Sequence, residues 1–440
     1  MTSPDLPTAA PMATRARRNG FSSRGASPAP ADRSAAVTLS ARLGVYLIAI
    51  YVVTKMIYLF NEGTAQPADI LLGALALLIA SPRSMLRFLS DHISLLALLV
   101  WIAVVNLTWF AITAKLDMTY FILFYIFNAV IVMTVYTLRL RAPALFDRYM
   151  ILALQASIVI QFVLVLMDSH TRAQGSFQNP NQLAYWAIAA LSIYFVIRRN
   201  ITRWIDLPFI LLANYCVFAS LSRAGFISCL MMLLVWAWLA LRTTFQRLAG
   251  GLFAALLLIG AWQGGLVSEY IERSDTAQKF ENRLETKTDT DLGEGRNYNR
   301  IAEFYEYTIF GAGEGYYSRF EPAYVVAIEI HSSFATMLFS YGIIGLGLFL
   351  AFLYSVVRPL PLSLSFYLIP SLIYGITHQG LRFTFFWVLI GTMMAIGAEL
   401  SPGCGKAAAS ASRKLPSLKP WRPRGPEELR QQAANLPTLR

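Results

Sequence analysis

HISLLALLVWIAVVNLTWFAI, residues 92–112, runs through 21 positions without a Lys, Arg, Asp or Glu. A bilayer core of about 30 Å is crossed by roughly 20 apolar residues in a helix, so this stretch has the length and composition of a membrane span. Comparable runs recur at nearly even intervals from Leu43 to Leu400 and give 12 candidate spans: 43–60, 68–81, 92–112, 119–138, 148–167, 181–197, 203–221, 225–241, 249–267, 331–356, 361–376 and 383–399. The whole chain of 440 residues is 56% hydrophobic and only 14% charged, against roughly 25% charged in a soluble domain. The expected fold class is therefore an all-α polytopic membrane protein with about 12 transmembrane helices. No soluble domain of ordinary size fits between the runs.

The flanks differ in kind. Residues 1–42 are dominated by Ala, Pro, Ser, Thr and Arg, too polar for the apolar region of a signal peptide, and read as a disordered basic cytoplasmic tail. Residues 401–440, rich in Pro, Lys and Arg, read the same way, which leaves 43–400 as the transmembrane domain. Cys216 and Cys229 sit in apolar runs and Cys404 in the polar tail. An odd, unspaced set of this kind supports neither a disulfide framework nor a zinc site.

Charge placement orients the spans. With the N-terminus inside, the inner loops hold Arg83, Arg87, Arg139, Arg141, Arg148, Arg198, Arg199, Arg203, Arg242, Arg247 and Arg358, whereas the short outer loops hold Lys115, Arg172, Arg223 and Arg382. This 11-to-4 split follows the positive-inside rule and puts both termini in the cytoplasm. It also accounts for the net charge of +12 without a basic face on a soluble domain, so a nucleic-acid partner is not expected.

One connection is long: residues 268–330, on the outer face between spans nine and ten. It opens with a charge run from Glu269 to Asp291 and then places Tyr298, Ile301, Phe304, Tyr305 and Ile309 at helical spacing. That pattern predicts an amphipathic helix, either lying on the membrane surface or packing against the bundle. Gly311-Ala-Gly-Glu-Gly315 follows, and turn chemistry favours a helix-stop loop there over an anion-binding nest of backbone N–H groups.

Basic residues on the outer side run against the charge bias, which makes them candidates. Arg223 stands in the turn Leu221-Ser-Arg-Ala-Gly225, Arg172 precedes Gly175-Ser-Phe-Gln-Asn-Pro-Asn181, Arg296 follows Gly295, and Arg382 follows Thr377-His-Gln-Gly380. A single interfacial Arg commonly snorkels to lipid phosphate. Several around one vestibule are what a pyrophosphate-bearing substrate requires, because guanidinium binds phosphate bidentately and stays charged. Of the four histidines, His92 falls on the inner side and His170 on the outer. His331 begins span ten, where a helix N-terminus keeps the ring in the neutral form a general base needs, and His378 lies in the last outer turn. No Walker loop and no metal-ligand spacing occurs, so neither nucleotide hydrolysis nor a protein-held metal is expected. Lys55 reads as snorkelling to the outer edge and Asp206 as lying near the inner one. Without carboxylates at mid-membrane, ion-coupled transport is disfavoured.

In order and sidedness, the Gly175–Asn181 stretch, the Ser222-Arg223 turn, Gly295-Arg296, Gly311–Gly315, His331 and Tyr341-Gly-Ile-Ile-Gly-Leu346 resemble the bacterial O-antigen ligase and Wzy-type polysaccharide polymerase superfamily over roughly residues 43–400. The resemblance implies metal-independent, inverting glycosyl transfer without a cofactor, on the periplasmic face of the inner membrane, from a glycan carried on undecaprenyl pyrophosphate. It implies His331, Arg296 and Arg223 as catalytic residues, with Arg172, Asn181, Arg300, His378 and Arg382 in substrate binding. Implied partners are the lipid-linked donor and acceptor, membrane lipids, and the chain-length regulator and flippase of the same pathway. Where family members usually have Asn after the histidine this chain has Ser332, and its turn reads Ser-Arg-Ala-Gly. Polymerase is the first expectation, ligase the second. A lipid-linked glycan flippase is the alternative from another class, and a structural or sensor membrane protein is a further one.

Overall fold

The computed structural model describes residues 38–60, 66–79, 82–241, 245–246, 278–279, 297–320 and 329–401, and among these every regular element is helical. The tail residues 1–37 and 402–440, the ninth expected span at 249–267, the charge run Glu269 to Asp291, and Arg296 lie outside the described residues.

The apolar runs fold as α1 (Leu39–Thr54), α2 (Pro67–Ile79), α4 (Ile93–Thr113), α5 (Asp117–Arg141), α6 (Pro143–Leu166), α7 (Pro180–Arg198), α8 (Leu207–Ala219), α9 (Arg223–Ala240), α12 (Ser333–Val357) and α15 (Thr384–Leu400), with the short α3 (Pro82–Asp91) between α2 and α4. Two short helices, α10 (Asn299–Glu303) and α11 (Tyr307–Phe310), precede α12. The expected span at 361–376 is broken into α13 (Leu362–Ser365), a 3-10 turn and α14 (Ile369–Thr377), with Pro370 in the first turn of α14, where its missing N–H costs no helix bond. Among the described residues six helices, α4, α5, α6, α7, α9 and α12, are long and apolar enough to cross a membrane. The chain is thus a multi-pass helical membrane protein. Helix α1 starts four residues earlier than the sequence suggests, because Thr38 caps it by accepting from the Ala41 N–H.

Helices α7 and α15 form the centre. Every residue from Leu183 to Ile197 and from Thr384 to Gly397 is buried, as expected for helices apolar on all sides and surrounded by others. Helix α15 packs along α5 and α7, α1 along α6, α12 along α4, and α14 along α9. Helices α4 and α9 instead turn Val100, Leu107, Ile227, Leu234 and Trp238 outward, a surface suited to lipid.

Ion pairs mark one end of the bundle. Arg139, fully buried, donates to both Asp147 oxygens at 3.0 and 3.1 Å and lies 3.1 Å from Glu399, while Arg199 also reaches Glu399 at 2.7 Å. The C-terminal ends of α5, α7 and α15 and the start of α6 therefore meet there. Arg198 pairs with Asp206 at 2.7 Å, which ties the start of α8 to the same end. Lys55 does not snorkel: its ammonium sits 2.7 Å from Asp69, and both residues are buried.

The described stretch 297–320 of the long loop folds back onto the bundle. The expected amphipathic helix is divided by Phe304–Glu306 into α10 and α11. Tyr298, Ile301, Phe304 and Tyr307 pack on Ala312, Phe320, Ile330 and Phe339, while Tyr305 and Ile309 are exposed. The Gly311–Gly315 stretch then docks into a break in α12 at Gly342 (φ 68°, ψ −177°). The Ala312 and Gly313 N–H groups donate to the Phe339 and Ser340 carbonyls at 2.9 and 2.8 Å, and Glu314 N–H donates to Asn106 Oδ1 at 2.9 Å. Trp101 and Trp109 donate their indole N–H groups to the Tyr341 and Gly311 carbonyls. Gly342 lies nine residues past Ser333, about 14 Å along α12 at ~1.5 Å per residue. Broken backbone at such depth persists only where protein groups complete its hydrogen bonds, and here the glycine stretch and two tryptophans do so.

Candidate active site

The end of the bundle opposite Arg139 and Glu399 gathers those sequence-predicted residues that are described, because α5, α7, α9, α12 and α15 begin there and α6, α8 and α14 end there. The loop after α6 is organised by Asp168, whose oxygens accept from the backbone N–H groups of His170, Gln174 and Gly175 at 2.9, 2.6 and 3.1 Å and contact His170 Nδ1 at 2.6 Å. Burial works against its charge, but these hydrogen bonds prevail and hold the carboxyl below the usual carboxylate range. The loop so fixed presents Arg172, which donates to the Ser220 carbonyl at 3.1 Å and to Asn181 Oδ1 at 3.0 Å. Asn181 lies in the first turn of α7, whose cap is Asn179. Arg172 and Asn181 are thereby one unit, and that unit grips the turn leading into Arg223.

Arg223 is exposed as the first residue of α9. Ser222 caps the helix by accepting from the Gly225 N–H at 3.3 Å. An exposed guanidinium at a helix N-terminus adds its charge to that of the free backbone N–H groups, a combination that attracts anions.

His331 is half-buried and stands two residues ahead of α12, not in its first turn, because Ser332 is the cap, accepting from the Ala335 N–H at 3.2 Å. Its segment is laced to the loop after α14. Ser333 N–H and Oγ both donate to the His378 carbonyl at 3.2 Å, and Ser333 Oγ accepts from Gly380 N–H at 2.8 Å. The Tyr298 hydroxyl bridges the His331 and Ile376 carbonyls at 3.3 and 2.9 Å. The His378 ring stacks on Tyr374, with centroids 4.5 Å apart, and its Nδ1 lies 3.1 Å from Thr377 Oγ1. Tyr374 in turn donates to the Asn181 carbonyl at 2.6 Å. His331, His378, Asn181 and Arg172 are thus linked through hydrogen bonds and one stacked pair.

Arg300 and Arg382 are placed differently. Arg300 is buried, its guanidinium near the faces of Tyr317 and Phe320. Arg382 donates to Glu314 Oε1 through Nε at 3.2 Å and Nη2 at 2.6 Å, pairs through Nη1 with Glu329, and donates to the Tyr317 hydroxyl at 3.0 Å. Burial keeps that hydroxyl neutral by pushing the Tyr317 phenol up. Glu314 is wholly buried, and the Tyr125 and Tyr341 hydroxyls donate to its second oxygen at 3.1 and 2.9 Å.

Glu314, Glu329, Ser333 and Tyr298 were not singled out from sequence as site residues. Glu314 had one legible signal, a lone carboxylate among three glycines, although nothing local to it reveals the arginine 68 positions later. The glycine stretch is no anion nest, since the N–H groups of Ala312, Gly313 and Glu314 all have protein acceptors. Among the described residues no cluster suits a metal ion.

A bundle of this kind, with its candidate residues gathered at one end around an inserted loop, defines a polytopic membrane protein with a candidate site on one face. Residues 207–350, about a third of the chain, match the O-antigen ligase family model, and the likeness falls on the superfamily that the motifs resemble. The matched segment includes Arg223, Arg296, Arg300, Glu314 and His331 and stops short of His378 and Arg382. No curated protein matches the chain.

Proposed function

We propose that the protein is an inner-membrane glycosyltransferase that polymerises undecaprenyl-pyrophosphate-linked repeat units of O-antigen, capsule or exopolysaccharide on the periplasmic face. On this reading both termini are cytoplasmic, 12 spans cross the membrane, and the loop of residues 268–330 is periplasmic. The observation that carries it is the O-antigen ligase match, because it runs from Arg223 through His331, two of the residues gathered at one end of the bundle.

The chemistry follows from charge. Breaking a sugar–pyrophosphate bond builds negative charge on the leaving group, and guanidinium groups at Arg223 and Arg296 stabilise that charge more in the transition state than in the ground state. The acceptor hydroxyl needs positioning and a proton sink, which His331 supplies, a contribution of roughly 10²–10⁴ in rate. Attack opposite the pyrophosphate inverts the anomeric centre, and no metal is called for. Arg172, Asn181, Arg300 and His378 form the substrate-binding set. Arg382 is left out of it, since two carboxylates already meet its charge.

The description of the matching family as an O-antigen ligase favours, as second reading, transfer of finished glycan to lipid A–core. A null strain separates the two: a polymerase null retains single-unit glycan on its acceptor, whereas a ligase null accumulates long lipid-linked polymer. His331→Ala reproduces the null phenotype on either reading. Movement of labelled lipid-linked glycan across vesicles by the purified protein, with no glycosidic bond formed, replaces both with a flippase.

A further inference from the structure

We propose that Arg382 is a positioning residue that sets His331 in place through Glu329, and that the donor pyrophosphate is bound without it; the proposal rests on the glycosyltransferase reading given above. Residues 329–333 and 378–382 run antiparallel and are joined at both ends. Glu329 pairs with Arg382 at one end, and Ser333 bonds to His378 and Gly380 at the other. His331 lies midway between the clamps, and the Tyr298 hydroxyl holds its carbonyl from the side.

The clamp at Arg382 is anchored from below. Glu314 is carried by the docked glycine stretch to a fully buried position among Tyr125, Tyr341 and Asn106, and it takes two of the guanidinium's nitrogens. Glu329 takes the third, and the plane of the guanidinium lies over Phe121 at 4.6 Å from the ring centroid. An arginine has five N–H donors on three nitrogens, and here all three nitrogens have protein partners. Two carboxylates against one guanidinium leave the group at a net charge of −1. A pyrophosphate brought to it would meet repulsion from Glu329 and would have to displace ion pairs already formed. Arg172 by contrast donates to a carbonyl and an amide oxygen, and Arg223 is exposed.

The test uses full-length protein and two readouts: binding of undecaprenyl pyrophosphate to the purified protein, and glycan made in a null strain, normalised to protein present. Glu329→Gln keeps the size of the side chain and removes its charge. Since Glu329 is partly exposed, the variant is expected to fold. The expected result is at least a 10-fold loss of glycan with undecaprenyl pyrophosphate binding unchanged within 2-fold, and partial recovery in Glu329→Asp. Arg382→Lys is expected to behave like Glu329→Gln. If Arg382 instead holds the pyrophosphate, Glu329→Gln tightens binding and Arg382→Lys weakens it 10-fold or more, and either outcome overturns the proposal. Unchanged glycan in Glu329→Gln does so as well. Wild-type protein that binds undecaprenyl pyrophosphate but restores no glycan to the null strain refutes the glycosyltransferase reading itself, and the positioning role goes with it.

Discussion

Gly342 and Ile309 meet backbone to backbone: a β-carbon on Gly342 would run into the Ile309 carbonyl, and its positive φ belongs to a region that side chains strain to enter. With ψ near 180° that conformation is almost confined to glycine and costs other residues about 1–3 kcal/mol before any clash. Gly342→Ala is therefore expected to lower the thermal midpoint of the purified protein sharply. Gly347→Ala, five residues on in the same helix with open space around it, is expected to leave the midpoint unchanged or raise it slightly, the gain in stability being up to ~1 kcal/mol. Equal behaviour of the two variants would contradict the docked-loop geometry.

The ion pairs at the opposite end give a graded expectation. Arg139→Ala leaves Asp147 without its bidentate partner and Glu399 with Arg199 alone; since both carboxylates are about a quarter exposed, the expected loss falls below the roughly 3–5 kcal/mol of a fully buried pair but above that of a surface pair. Arg199→Ala removes a partner that is nearly half exposed and is expected to cost about 1 kcal/mol or less. Thermal midpoints and accumulation of the two variants in membranes rank them, and a milder effect for Arg139→Ala would show that the pairing is not structural.

Arg172 makes two bonds in different directions, to Ser220 and to Asn181. Arg172→Ala is expected to lose about 1.5–3 kcal/mol per charged hydrogen bond, seen as reduced glycan per protein in the null strain. Arg172→Lys should fail nearly as badly, because one ammonium cannot reproduce the planar fork. Arg223→Ala, at an exposed position, is expected to leave the thermal midpoint alone while glycan falls. A variant that melts early but makes full glycan would assign Arg223 to folding.

Asp168 carries a pH signature. Its folded-state carboxyl titrates below the ordinary value, which is about 3.9 for an unfolded Asp. Its stabilisation is thus fully present above that value and is lost as pH falls through the lower folded one. Asp168→Asn is expected to melt earlier than wild type at pH 7, with the gap closing as pH drops below about 4. A gap that persists unchanged to pH 3 would mean that the carboxylate does not organise the loop.

Length and apolarity were sufficient to find most of the helices, since a membrane span is specified by local composition alone. Amphipathic α3 escaped because its charges at Arg83, Arg87 and Asp91 break the apolar run. The periodicity at Tyr298–Ile309 pointed to a helix, but the chain breaks at Phe304–Glu306 so that Tyr298, Ile301, Phe304 and Tyr307 can face one cluster. At the site, the isolated arginines and histidines were visible because they stand out against an apolar chain. What each arginine does was not visible. Arg172, Arg223 and Arg382 look alike in sequence, and only the partners separate them: a carbonyl and an amide for the first, exposure for the second, two carboxylates for the third.

The break in α12 also bears on how the chain is assembled. Trp101, Asn106 and Trp109, which receive the docked stretch and the opened helix, belong to α4, made some two hundred residues before the groups they bind. During synthesis N-terminal parts form first, so the receptor waits in the bilayer for its insert. The insert and the helix it completes are close neighbours in sequence, and can reach that receptor together as one hairpin. Helix α12 is thus not a self-sufficient span: its polar backbone is satisfied only once the glycine stretch ahead of it has docked, which makes correct placement of that stretch a condition of finishing the bundle.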